Sequence, residues 1–195
     1  MNQEYLHSNL WSPVDKADSI RLQDDGLEVE SMCDHESLIR TTTPISPRLN
    51  HFKIRILHGG KDNNIWFGFT NKYVNNTICL PGFDANSLGY GSNNGKIYQS
   101  GEEYATGESF TTNATIGLHV DFVRRKCTFT KNGKVVGVPI DTSDLKEDLY
   151  PTVGFKSKGA KVKAMPFESQ IINTPRGIFN LSLHFLGGIY LYSVL

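Results

Sequence analysis

The segment KCTFTKNGKVVGVPI (126–140) restricts the fold more than any other part of the chain. Asn132-Gly133 is a residue pair that accepts positive φ at both central positions of a two-residue type I′ turn, and alternating residues flank it. An antiparallel hairpin is predicted. The same period-two pattern recurs elsewhere. HFKIRIL (51–57) sets Phe52, Ile54 and Ile56 on one face with Lys53 and Arg55 on the other, and NIWFGFT (64–70) aligns Ile65, Phe67 and Phe69. LEVES (27–31), ATIGLHVDF (114–122) and YPTVGF (150–155) are further short runs bounded by turn residues. Helical periodicity is weak throughout, and a single helical turn near TSDLKED (142–148) is the most that is expected. Regularly spaced short strands imply an all-β, antiparallel sandwich or barrel.

Within SLGYGSNNGKIY (87–98), Gly89, Gly91 and Gly95 approach the spacing of a phosphate-binding loop. Such a loop works because it ends a strand and opens a helix, whose free N–H groups hold the phosphates. No amphipathic helix follows Gly95, and no Gly-Lys-Ser/Thr is present. These glycines therefore read as bends, with Asn94-Gly95 as a second tight hairpin turn.

Twenty basic and twenty acidic side chains cancel, so no global field draws in nucleic acid or an anionic membrane. The cluster Arg124-Arg125-Lys126 reads as a hairpin bend. Lys156, Lys158, Lys161 and Lys163 read as a solvent-facing edge strand, where charge discourages aggregation. Aromatic residues are not interleaved with them as stacking platforms, which argues against nucleic acid. Cys33-Asp34-His35 has the composition of a metal site, but three adjacent side chains on an extended backbone do not converge on one ion. No metal or cofactor is expected. The three cysteines form no C-x-x-C pair, and the first residues lack a basic start followed by an apolar run, so the expected location is the cytoplasm or nucleus.

Glu28 and Glu30 share one strand face, an arrangement that glycan-cleaving sandwiches use for paired carboxylates. With Leu27 and Val29 on the core side, their simpler reading is the solvated face of a strand. A carbohydrate-binding or glycan-cleaving sandwich is the alternative function. The uncharged run IFNLSLHFLGGIYLYSVL (178–195) alternates around Gly187-Gly188 and reads as a β-hairpin in preference to a membrane anchor.

Three stretches together resemble a SPRY (B30.2-type) domain: LPGFDANSLGYGSNNGKIYQSGEEYATGESF, TIGLHVDFVRRKCTFTKNGKVVGVPI and LYPTVGFKSKGAKVKAMPF. The SPRY domain of RanBPM-like scaffold proteins is the most similar variety, and WSPVDKADSIRLQDDGLEVE resembles its N-terminal extension. The resemblance spans residues 11–168 and leaves 1–10 and 169–195 as tails. It implies a bent two-sheet antiparallel β-sandwich without a catalytic centre, whose edge loops grip peptide segments or partner surfaces. It also implies an adaptor that recruits substrates within a CTLH/GID-type ubiquitin-ligase assembly. The residues falling in or beside the family's binding edge are Phe83, Asp84, Tyr90, Asn93, Tyr98, Phe155 and Lys156. Aromatic rings with a few polar groups make good anchors, although Tyr90, Tyr98 and Phe155 alternate within strands and fit the core equally well. Phe83 stands where the family usually has Trp, and Ser92-Asn93-Asn94-Gly95 where His-Asp-Asp-Gly is common. The ending KAMPF replaces a typical Ala-Asn-Phe, and the LisH and CTLH helical modules have no counterpart here.

Overall fold

The computed structural model describes residues 10–23, 25–145 and 148–165. Two seven-stranded sheets pack face to face, and every strand pairing is antiparallel. In spatial order the first sheet comprises β1 (Trp11–Lys16), β4 (Ser37–Thr41), β13 (Tyr150–Phe155), β6 (Ile65–Thr70), β7 (Leu88–Gly91), β8 (Lys96–Gln99) and β9 (Glu102–Thr106). The second comprises β12 (Lys134–Asp141), β11 (Lys126–Lys131), β10 (Thr115–Asp121), β5 (His51–Gly59), β14 (Ala160–Ala164), β3 (Glu28–Ser31) and β2 (Ile20–Leu22). This is the expected all-β, two-sheet sandwich.

The alternating residues build its core. Phe52, Ile54 and Ile56 of β5 face Phe67 and Phe69 of β6, with Leu118, Phe129 and Val162 completing the layer between the sheets. Each fully buried side chain of this size stabilises the fold by about 1.5–3 kcal/mol relative to exposure. Strand β4 is buried on both faces, which is why it carries no alternating signal. Among the described residues no helix forms; where a helical turn was expected, 143–144 form a plain turn, and residues 146–147 lie outside the described residues.

Asn132 and Gly133 take φ of 51° and 82° and join Lys131 directly to its partner Lys134, as expected of a type I′ hairpin. The Asn94-Gly95 connection differs. Four residues, 92–95, link β7 to β8, and of these only Gly95 has positive φ, at 71°. The Gly95 N–H donates to the Gly91 carbonyl at 3.1 Å and the Asn94 carboxamide oxygen accepts from the Lys96 N–H, so a wider loop replaces the two-residue turn. The lysine-rich strand also departs from expectation. β14 lies inside its sheet between β5 and β3, and its lysines face glutamates instead of open solvent: Lys163 Nζ is 2.7 Å from Glu28 and Lys161 Nζ 3.5 Å from Glu30.

A segment between β6 and β7, residues 71–87, lies on the outer face of the first sheet. Small residues make this possible. A Cβ at Gly89 would fall 1.9 Å from the Pro81 carbonyl oxygen, so the cover rests on the sheet backbone itself. The cover is tied down by main-chain groups: the Asn76 carbonyl accepts from the Leu38 N–H at 2.9 Å, and the Val74 carbonyl accepts from the buried Arg40 guanidinium.

Candidate functional site

Trp66 is out of phase with the inward-facing Ile65, Phe67 and Phe69 of its own strand, so its ring projects from the outer face of the first sheet. It is nevertheless buried, because Phe83 of the cover segment meets it edge-on at 4.8 Å between centroids, and Tyr98 of β8 meets it edge-on at 5.7 Å. Phe83 in turn stacks on Tyr98 with centroids 4.7 Å apart and planes 24° from parallel. Phe83 keeps 43% of its surface in solvent. An exposed ring is thereby held rigidly by two others.

The turn carrying Phe83 is braced from within. Ser87 Oγ accepts from the N–H groups of Gly82 and Asp84 at 3.1 and 3.2 Å and donates to the Asp84 carbonyl, while Asn86 adopts φ of 55°. The Asp84 carboxylate accepts from the Ala85 N–H at 2.7 Å and stays exposed. On the other side, the Trp66 indole N–H donates to Asn64 Oδ1 at 2.9 Å, and the Asn64 carbonyl accepts from the Lys156 N–H at 2.9 Å. The Lys156 ammonium reaches Glu36 at 3.0 Å, with the lysine side chain half-exposed and the glutamate about a third exposed. Gly91 lies against the Trp66 ring and leads into the 92–95 loop. There the buried Ser92 hydroxyl donates to the Asn63 carbonyl at 2.5 Å and accepts from the Ile65 N–H, which leaves Asn93 projecting into solvent.

Five of the seven residues singled out in the sequence, Phe83, Asp84, Asn93, Tyr98 and Lys156, thus connect to Trp66 directly or through its immediate neighbours. Tyr90 and Phe155 do not join them. Both are 0% exposed, because their registers opposite Phe67 and Ile65 turn them to the inner face of the sheet. Tyr90 is sandwiched by Phe110 and Phe129, and its hydroxyl donates to the Glu108 carbonyl. Burial, aided by the Glu108 carboxylate, pushes its phenol up to about 12. These two rings support the surface from below and offer nothing to a partner. Trp66 and Asn64 went unnoticed in the sequence, although an aromatic residue breaking an apolar alternation was a readable signal.

Other candidate centres dissolve in the structure. Glu28 and Glu30 are matched by Lys163 and Lys161 across the strand pair, the latter glutamate also lying 3.6 Å from Arg21. Asp34 accepts the Lys158 N–H, and the Cys33 thiol lies 3.5 Å from the His35 carbonyl. Among the described residues, no group of three or more His, Cys, Asp or Glu side chains is placed to hold a metal ion, and no helix is long and apolar enough to cross a membrane. The hairpin expected at 178–195 lies outside the described residues. What the surface offers is rings, an exposed carboxylate, an amide and an ammonium. That mixture of rigid aromatic area with a polar rim is the composition of protein-binding hot spots.

The SPRY domain family profile matches residues 50–168. Over 162 residues, 79% of the chain, the sequence is 36% identical to a protein named Ran-binding proteins 9/10 homolog from Drosophila melanogaster, of which the match covers 16%. It is 33% identical over the same length to Ran-binding protein 9 of Homo sapiens, covering 22% of that protein. The chain therefore spans less than a quarter of the length of either relative. Among solved structures, the SPRY domain of human HERC1 superposes with a TM-score of 0.68 at 21% identity, over 82% of this chain and 99% of that one. Another human SPRY domain superposes with a TM-score of 0.65 at 23% identity, over 75% and 94% respectively.

Proposed function

The chain belongs to the SPRY domain family, and from that premise we propose that it acts as a non-enzymatic adaptor, gripping peptide segments or partner surfaces through Phe83, Asp84, Asn93, Tyr98 and Lys156. The module is taken as residues 11–168, with flanking tails. The observation that carries the reading is the half-exposed Phe83 ring locked between Tyr98 and Trp66. A ring already fixed in place loses little conformational freedom on binding, so more of its contact energy appears as affinity. The similarity to Ran-binding proteins 9 and 10 supports a finer reading, recruitment of substrates or adaptors to a CTLH/GID-type ubiquitin-ligase assembly. Working in the cytoplasm or nucleus is consistent with Cys33, Cys79 and Cys127 all being free thiols. No observation favours a carbohydrate-active site, since the paired glutamates are occupied by lysines.

Affinity capture with wild type beside a Phe83→Ala/Asn93→Ala variant, read by quantitative mass spectrometry, tests the proposal. Partners depleted about tenfold by the variant are expected, on the scale of a hot-spot loss near 1.4 kcal/mol. Ligase subunits among them would support the finer reading. Identical capture by both proteins, with circular dichroism showing both folded, would refute the surface assignment.

A further inference from the structure

Ring geometry at Phe83 leaves one of its faces open. Trp66 and Tyr98 are 5.7 Å apart and each lies closer than that to Phe83, so Trp66 cannot occupy the face of Phe83 opposite Tyr98. Both rings instead meet Trp66 edge-on, and the second face of Phe83 is the part left to solvent. The next residue is Asp84, exposed and held by the same Ser87-braced turn. One of its carboxylate oxygens accepts from the Ala85 N–H, and Asp84 forms no ion pair among the described residues.

The charges on this side of the sheet leave Asp84 over. Lys156 is matched by Glu36 at 3.0 Å, and Lys96 by Glu103 at 2.6 Å, where Glu103 lies across from Tyr98. Beyond Lys156, Lys61 and Lys158 are equalled in number by Asp62 and Asp34, and Asp34 accepts the Lys158 N–H. Lys134 acts on Glu108, which lies against Gly95 at the other end of β8. Glu102, at the hairpin end near Phe83, adds a further carboxylate without an ion pair. The surplus is therefore anionic. Nearby Cys79 responds to it: its thiol is pushed up first by burial and next by Asp84, with Glu36 adding less.

An open aromatic face beside an unpaired carboxylate suits a planar cation. A guanidinium stacks flat on the ring while its N–H groups point outward in its own plane toward the acid; an ammonium has no flat face to stack. We propose that the Phe83 surface receives an arginine of a basic peptide segment, the guanidinium stacking on the open face of Phe83 and pairing with Asp84. This rests on the assignment of partner binding to Phe83 and adds the chemistry of what is bound.

Selection of a displayed random dodecapeptide library on the full chain tests it. Enriched sequences are expected to share an arginine. In synthetic versions, changing that arginine to Gln, or Asp84→Asn or Phe83→Ala in the protein, should each weaken binding about tenfold, the scale of a lost charge-assisted hydrogen bond. Asp84→Asn keeps an acceptor for the Ala85 N–H, so the turn survives the change. The peptide change and Asp84→Asn should not add, because both remove the same pair. A peptide with Glu in place of its arginine should regain binding to Asp84→Arg. Enriched peptides without a cation, weakened by Phe83→Ala but not by Asp84→Asn, leave the Phe83 surface standing and overturn the arginine site. Peptides indifferent to both variants count against both assignments. An acidic consensus, or an absence of enriched sequences, overturns the arginine site alone.

Discussion

Arg40 and Asp15 form an ion pair 2.6 Å long in which the guanidinium is 1% exposed and the carboxylate 28%. Arg40 Nε also donates to Thr70 Oγ1 at 2.8 Å, and its remaining nitrogen donates to the Val74 carbonyl of the cover segment. One buried cation thus joins β1, β4, β6 and the cover. Removing its anion leaves that charge without its main compensation, which costs 3–5 kcal/mol for a fully buried pair. Since Asp15 is partly solvated, Asp15→Asn is expected to lower unfolding stability by about 2 kcal/mol. Urea denaturation checks it; a loss below about 0.5 kcal/mol would mean Thr70 and Val74 suffice to hold Arg40.

The glycines make unequal demands. A Cβ on Gly68 would fall 1.8 Å from the Leu88 carbonyl oxygen, and one on Gly89 1.9 Å from that of Pro81, so backbone must move in both cases. Gly133 has nothing within 4 Å and needs only its φ of 82°. Gly89→Ala is therefore expected to cost about 3 kcal/mol or more, and Gly133→Ala about 1–2 kcal/mol. Denaturation midpoints of the two variants should differ in that order, and equal midpoints would contradict the close approach at Gly89.

Tyr90 gives the fold an alkaline limit. Its phenol is held neutral to about 12 when folded, against an ordinary value of 10. The folded state keeps a proton that the unfolded state releases, so this contribution is complete below pH 10 and is lost as pH rises toward 12. Tyr90→Phe forfeits the hydrogen bond to Glu108, about 1 kcal/mol at pH 8, but has no phenol to ionise. Stability curves of wild type and variant are expected to converge between pH 10 and 12. A constant gap across that interval would show that Tyr90 does not titrate as its burial requires.

Thiol reactivity should follow burial. Cys127 is enclosed in β11, and burial pushes its thiol far up; burial also raises Cys79, though less completely. At pH 8 a disulfide reagent is expected to modify Cys33 and Cys79 in the native protein and Cys127 only after unfolding, since the thiolate is the reacting species. Peptide mapping of the modified sites distinguishes them, and rapid native labelling of Cys127 would be the contrary result.

How far the sequence was legible depended on whether one face of a strand met water. Strands β5 and β10 alternate because they do, and the Asn132-Gly133 turn was readable from residue type alone. β4 escaped notice because both of its faces are covered, which erases the period. The interior position of β14 was hidden for a related reason: Lys161 and Lys163 look like edge charges until Glu30 and Glu28 are placed across from them, and strand order is a nonlocal fact. Tyr90 and Phe155 were ambiguous for want of phase. Their neighbours Gly89 and Gly154 say little about which side is inside, and only the registers with Phe67 and Ile65 decide it.

The cover segment is fastened largely through peptide groups, at Val74, Asn76 and Pro81, while Tyr73 and Ile78 point outward at 84% and 69% exposure. Side chains on its outer side can therefore be rewritten with little effect on the anchoring beneath. Two proteins sharing this scaffold could wear quite different coats over the same glycine-floored sheet, and a library diversified at the exposed Tyr73, Asn75, Thr77 and Ile78, with buried Val74 kept, should fold as readily as the parent.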